Sequence, residues 1–206
     1  MLQPQAVIFD IGNVLIEWHP ERFYDGRIGA ARRIDFMDQV PIHAANLAID
    51  AGAPFRQTLV DLAAAYPEWA VEIMWWHDDW RQMVDPVIGQ SVVLLRALRA
   101  RGVPVFALTN FGRETFDYAL TQFEFLNEFD RAYVSGRLGL IKPDPMIYAH
   151  VERDCGIAPG GLLFTDDRAD NIVAAARRGW MVHQFESAGG FAARLLAEGL
   201  LQEGDL

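Results

Sequence analysis

Three short apolar runs, each ending in polar residues, restrict this chain more than anything else in it. Residues 6–9 read A-V-I-F and lead into Asp10; residues 103–108 read V-P-V-F-A-L and lead into Thr109 and Asn110. Residues 162–165 read L-L-F-T and lead into Asp166 and Asp167, with Asp170 and Asn171 close behind. None alternates apolar with polar positions, which is the pattern of strands buried on both faces of a parallel sheet. Ligands of open α/β sheets bind outside the carboxyl ends of the strands, and the polar groups stand at those ends. Gly12 allows a tight turn and close backbone approach just after Asp10. Taken singly, each group has a plainer role. Asp10 can cap a turn, Thr109, Asn110 and Asp166 can cap helices, and Asp170 can be a surface charge.

After a linker at 16–20, the strand pattern gives way to helical patterns as far as Pro86. Residues 54–66 carry apolar positions at helical spacing, and Pro67 suits the first turn of the next helix. That helix carries Trp69, Ile73, Trp76, Trp80 and Met83 on one stripe, which reads as a packing face with an aromatic ligand box as the alternative. The strand pattern resumes near Val87. Helices are expected over 90–101, 114–123, 143–155, 169–178 and 192–201, and strands over 103–109, 132–135, 162–165 and 180–185. Gly102, Gly156 and Gly179 stop helices, and the last residues are expected to fray. A turn bearing Gly136 and Gly139 delivers Lys142 in L-I-K-P-D-P, with Pro143 placed to open the following helix. Strands alternating with helices imply a parallel sheet with right-handed crossovers.

The set formed by Asp10, Thr109, Lys142 and the Asp166-Asp167 pair, in that order, resembles the haloacid dehalogenase-like hydrolase superfamily. The match spans roughly residues 6–18 and 90–185. It implies an α/β fold, a Rossmann-like three-layer parallel sheet core (1–18 and 87–206) with a small inserted α-helical cap (19–86). It also implies Asp10 as a nucleophile that attacks a phosphate ester to give an aspartyl-phosphate, which water then hydrolyses. Mg²⁺ would be held by Asp10, the Gly12 carbonyl and Asp167, with Asp166 nearby, consistent with an oxygen-only ligand set. Lys142 would bridge Asp10 and the phosphate. Thr109 and the backbone N–H groups after it, beginning with Asn110, would hold a phosphate oxygen. Asn171 would support the site from behind.

One position departs from the pattern. Most phosphatases of the superfamily carry a second aspartate two residues after the nucleophile as general acid and base, and here that position is Gly12. The D-I-G-N-V stretch resembles a subgroup, including sugar-phosphate phosphatases, in which this glycine occurs beside a retained D-D-x-x-x-N motif. Proton transfer would then pass to water or to a residue of the insertion, with His19 and His43 as candidates. A haloacid dehalogenase reading remains open, because such enzymes also lack the second aspartate; Arg27, Arg32 or Arg33 would then supply the cradle for halide and carboxylate. So does a weakly active or non-catalytic binding protein. Specificity would lie in the insertion, where residues 46–52, the Trp-rich helix and the Tyr24 region could reach the substrate.

Composition narrows the partners. A chain of 206 residues, 51% apolar, can bury a core domain plus a modest insertion. Its net charge of −10 argues against nucleic acid or an anionic membrane as partner. A small phosphorylated substrate would have to be drawn in by local positive charge. Cys155 is the single cysteine, so no intramolecular disulfide forms, and the five histidines are scattered, unlike a zinc or iron site. With no basic-then-apolar leader and no apolar run of membrane-spanning length, a soluble, cytoplasmic monomer or homodimer is expected.

Overall fold

The structure, a computed structural model, describes residues 3–205. The chain runs β1 (Ala6–Phe9), β2 (Ile16–Trp18), α1 (Pro20–Gln39), α2 (Ile42–Asp50), α3 (Phe55–Ala65), α4 (Ala70–Asp78), α5 (Trp80–Met83) and β3 (Val84–Val87). It continues as α6 (Gly89–Ala100), β4 (Val105–Thr109), α7 (Arg113–Gln122), β5 (Arg131–Val134), α8 (Ser135–Leu138) and α9 (Pro145–Cys155). It closes with β6 (Leu162–Asp166), α10 (Ala169–Arg177), β7 (Met181–Gln184) and α11 (Ala188–Ala197).

Five strands form one parallel sheet in the order β5-β4-β1-β6-β7. β1 lies at its centre, with Val7 in register with Val105 on one side and Leu163 on the other. The three central strands are buried along their whole length, as their unbroken apolar pattern requires. Alternate residues feed opposite faces. Val7 and Phe9 pack with Leu94, Leu95 and Leu98 of α6 and Phe191 and Leu195 of α11. Ala6 and Ile8 pack with Ile147, Tyr148 and Val151 of α9 and Ala175 of α10. The result is a three-layer Rossmann-like fold with the ends of β1, β4 and β6 on one edge. No helix among the described residues is long and apolar enough to cross a membrane.

Helices α1 to α5 fill the stretch between β2 and β3, and the core cluster on the Val7 face runs on into them through Trp69, Ile73, Trp76 and Met83. The expected linker at 16–20 is in part a strand. Ile16 pairs with Val87 and Trp18 with Val84 in an antiparallel ribbon, so the chain enters and leaves the helical stretch side by side. Three residues are too few to show a period, and their partner lies far down the chain. The Trp stripe is not one helix: Trp69 ends a 3₁₀ turn, Ile73 and Trp76 lie on α4, and after a break at Asp79 Trp80 and Met83 lie on α5. All five of its members are nevertheless buried, as a packing face should be.

Other boundaries differ for local reasons. Pro143 does not open α9. The helix starts at Pro145, capped by Asp144, whose side chain accepts from Met146 N at 2.8 Å. α11 begins four residues before the expected 192, because Ser187 caps it while Gly189 and Gly190 in its first turn hide the helical signal. Near the end expected to fray, Glu203–Asp205 forms a 3₁₀ turn and Asp205 pairs with Arg101 at 3.0 Å.

The helical stretch touches the sheet layer by close backbone approach. Ser135 Oγ donates to Asp50 O at 2.5 Å, and Phe55 N donates to Glu114 Oε2 at 2.7 Å. Gly136 leaves no room for a side chain: a Cβ there would lie 2.6 Å from Arg113 N and 2.8 Å from Phe111 O. At Gly112 the nearest atoms are the side-chain ends of Ile49 and Thr115, at 2.7 and 2.8 Å. Backbone cannot rotate away, whereas side chains can. Gly136→Ala is therefore expected to destabilise the protein by about 1–3 kcal/mol, within the range for overpacking, or roughly 2–12 °C in Tm. Gly112→Ala should cost less, and thermal unfolding of the two variants side by side checks the order.

Candidate active site

The end of β1 is fixed by hydrogen bonds before any ligand is considered. Asp10 N donates to Thr165 O at 2.9 Å, and Ile11 N donates to Asp10 Oδ1 at 2.7 Å. The turn that follows holds Asn13 at φ 55°, a left-handed conformation that asparagine tolerates better than most residues. From there Asn13 Nδ2 donates to Asp167 Oδ2 at 3.1 Å, and its Oδ1 accepts from Trp18 N at 2.9 Å. One side chain thus ties the β1 turn to β2 and to the end of β6.

Lys142 reaches the same place from the other side. Its Nζ lies 2.6 Å from Asp166 Oδ2 and 3.0 Å from Asp10 Oδ1, and donates to Leu108 O at 2.8 Å. The Asn110 side chain positions it, donating to Lys142 O at 2.9 Å and accepting from Lys142 N at 2.8 Å. Asp166 is fully buried and further held by Asn171 Nδ2, 3.0 Å from both carboxylate oxygens, and by Arg168 N at 2.8 Å. Asp166 is therefore the counter-ion that seats Lys142, while Asp10 and Asp167 face the open side.

One ammonium serves three carboxylates here. Burial pushes the Asp10 carboxyl up to about 7, with Lys142 opposing the rise. Burial likewise raises Asp167, against the hydrogen bond from Asn13. Burial works against the Lys142 charge, but Asp10 and Asp166 override it and hold the ammonium above its usual range. Carboxylate oxygens of Asp10, Asp166 and Asp167 come within 4.8 Å of one another. An all-oxygen donor set with surplus negative charge suits a hard divalent cation such as Mg²⁺.

Above these groups lies a cavity of about 530 Å³, in the range of small-molecule sites. Asp10, Gly12, Thr109, Asn110, Lys142 and Asp167, expected from the sequence to act together, all line it. Asp166 does not. From the helical stretch come His43, Asn46, Leu47, Asp50 and Trp80. Of the two histidines considered as proton donors, His43 is placed at the cavity; His19 is exposed, 3.3 Å from Glu17, and lies outside it. Arg27, Arg32 and Arg33 are also outside, paired with Asp79, Glu72 and Asp25 at 2.6, 2.6 and 2.7 Å. Tyr24 is buried, its hydroxyl donating to Glu72 O, and does not reach the cavity. Sequence reasoning gave no role to Asn13 or Arg168, and placed Asp50 only within the 46–52 stretch that could reach the substrate. Only the N of D-I-G-N-V, adjoining the motif, pointed to Asn13; Arg168 had no signal beyond its neighbours.

The family model described as haloacid dehalogenase-like hydrolase matches residues 4–179. A curated relative, the sesquiterpene phosphatase astK of Aspergillus oryzae, is 25% identical over 191 residues, covering 83% of this chain and 84% of that protein. Among solved structures, a HAD family enzyme from Bacteroides thetaiotaomicron, a mutant form in complex with magnesium and inorganic phosphate, superposes with a TM-score of 0.72 at 20% identity. That match covers 89% of this chain and 95% of the other. The L-2-haloacid dehalogenase of Xanthobacter autotrophicus, with chloropropionic acid covalently bound, gives a TM-score of 0.62 at 19% identity, covering 98% and 86%.

Proposed function

This chain belongs to the haloacid dehalogenase-like hydrolase family, and from that premise we propose that it is a Mg²⁺-dependent phosphatase acting on a small phosphorylated metabolite. The observation that carries the reading is the charge at the cavity floor, where the three carboxylates of Asp10, Asp166 and Asp167 share the Lys142 ammonium, while the Arg168 guanidinium is paired with Asp170. Such a floor repels any anion until a divalent cation is added, and then suits a phosphate group. A metal-free dehalogenase needs a positive cradle for its carboxylate substrate. The arginines expected to form one are engaged elsewhere. The phosphatase relative and the phosphate-bearing structural neighbour support the same choice.

In this reading an Asp10 carboxylate oxygen attacks phosphorus, the bond to the leaving oxygen breaks, and an aspartyl-phosphate forms. Water then attacks that phosphorus and releases phosphate with Asp10 restored. Lys142 holds Asp10 in line and offsets charge on the phosphate oxygens, and Thr109 Oγ1 with the Asn110 backbone N–H holds another of them. Asp10, the Gly12 carbonyl and Asp167 would hold Mg²⁺, with Asp166 seating Lys142 close by. When bound, the ion supplies electrophilic stabilisation of the transferring phosphoryl group. Residues 19–86 act as the cap that closes the cavity over the leaving group, on a core made of 1–18 and 87–206. Phosphate release from sugar phosphates, nucleotides and p-nitrophenyl phosphate tests the reading. Turnover is expected with Mg²⁺ and should fall on the order of 10²-fold or more in EDTA, since Lewis-acid stabilisation is worth several kcal/mol. Halide release from 2-haloacids that persists in EDTA, without phosphate release, would overturn it.

A further inference from the structure

Gly12 supplies no side chain to protonate the departing oxygen, yet besides the aspartates of the floor the cavity lining includes a further acid, Asp50. Asp50, the last residue of α2, is half-buried and lines the cavity. Its orientation is fixed through two layers. Asn46 Nδ2 donates to Asp50 Oδ2 at 2.9 Å, and Trp76 Nε1 donates to Asn46 Oδ1 at 3.0 Å, which sets the direction of the amide. The Asp50 carbonyl is pinned to the core by Ser135 Oγ. Burial pushes the Asp50 carboxyl up to about 7, with the Gly112 amide as the opposing influence and no charged neighbour contributing. An ionised carboxylate without a cation partner, in a wall that must receive a phosphate, would repel the substrate. A protonated one can donate.

We propose that Asp50 is the general acid of the first chemical step and the general base of the second. This rests on the phosphatase reading above. As Asp10 attacks, the electron pair of the breaking P–O bond goes to the leaving oxygen, which takes the proton from the Asp50 carboxyl. Asp50, now a carboxylate, accepts a proton from the water that attacks the aspartyl-phosphate, and the cycle closes with Asp10 ionised and Asp50 protonated. His43 is the other titratable group on this wall. It stands exposed, edge-on to Trp76 at 5.8 Å between ring centroids, without a hydrogen bond comparable to the Asn46 contact among the described residues.

The test compares leaving groups that need a proton with one that does not. With Mg²⁺ present, kcat/KM is measured for an alkyl monophosphate and for p-nitrophenyl phosphate, in wild type, Asp50→Asn and His43→Asn. Asp50→Asn is expected to lose about 10²–10⁴-fold on the alkyl ester, the usual worth of general acid catalysis, and less than about tenfold on p-nitrophenyl phosphate. Equal losses on both esters would mark a structural role and overturn the proposal. The same contrast appearing in His43→Asn instead would also overturn it. A series of aryl phosphates on the wild type adds a check that needs no variant. A shallow dependence on leaving-group acidity is expected, and a steep one overturns the proposal. A wild type that hydrolyses no phosphate ester defeats the phosphatase reading itself, whereas an active wild type with an unchanged Asp50→Asn defeats only the role of Asp50.

Discussion

Replacing Asp10 with asparagine is expected to lower turnover on the order of 10⁴-fold or more, the scale seen when a covalent catalyst loses its nucleophile, while the protein stays folded. Asparagine has the same shape, so its Oδ1 can still accept from Ile11 N, and the backbone bond to Thr165 is untouched. Lys142 keeps its 2.6 Å contact with Asp166, so no buried charge is left alone. What disappears is the carboxylate that attacks phosphorus in the proposed mechanism. Single-turnover phosphate release, with thermal unfolding as the control, separates chemistry from folding. Residual turnover above about one part in a hundred would deny Asp10 its role, since that loss is no more than a missing auxiliary acid or base would cause.

Lys142→Met is expected to hurt both activity and stability. Lys142 is buried and holds Asp10, Asp166 and the Leu108 carbonyl. Removing one partner from a buried ionic cluster typically costs about 3–5 kcal/mol, here roughly 6–20 °C in Tm. The loss should depend on pH in a definite direction when measured in EDTA. Burial already raises Asp10 to about 7 with the ammonium beside it, and without it the carboxyl moves higher still. A folded-state pKa above the unfolded one means that the folded protein binds the extra proton, so folding is favoured as pH falls. The gap to wild type should therefore be widest above pH 7 and narrow towards pH 5. A gap that widens on acidification would show that Asp10 is ionised throughout and that the cluster is arranged differently.

The sheet was readable because burial on both faces leaves a strong imprint: A-V-I-F, V-F-A-L and L-L-F-T have no polar interruption, and each is a central strand. The polar residues just beyond them were legible for the same reason, since a strand's end fixes where the next side chain stands. β2 was not, because three residues carry no period and owe their conformation to Val84 and Val87. The contribution of the helical stretch to the cavity was out of reach for a different reason. Whether Asp50 turns inward depends on how α2 lies against Gly112 and Ser135, and those contacts join residues about 60–85 positions apart. Asn13 belongs in between. Its position beside Gly12 was plain, but its bonds to Asp167 and Trp18 exist only once β1, β2 and β6 are assembled.

The central place of β1 has a consequence for how the protein is made. β1 leaves the ribosome well before both of its sheet neighbours, β4 and β6, which follow it by about a hundred residues or more. Until residues 105–109 and 162–166 emerge, the apolar stretch around Asp10 has nothing to pair with. Such long-range pairing slows folding and leaves an aggregation-prone strand waiting in nascent chains. The helical stretch, rich in local contacts, is free to form early and can occupy some of that apolar surface in the interval. Catalytic competence then arrives late, when β6 slots against β1 and brings Asp166 and Asp167 beside Asp10.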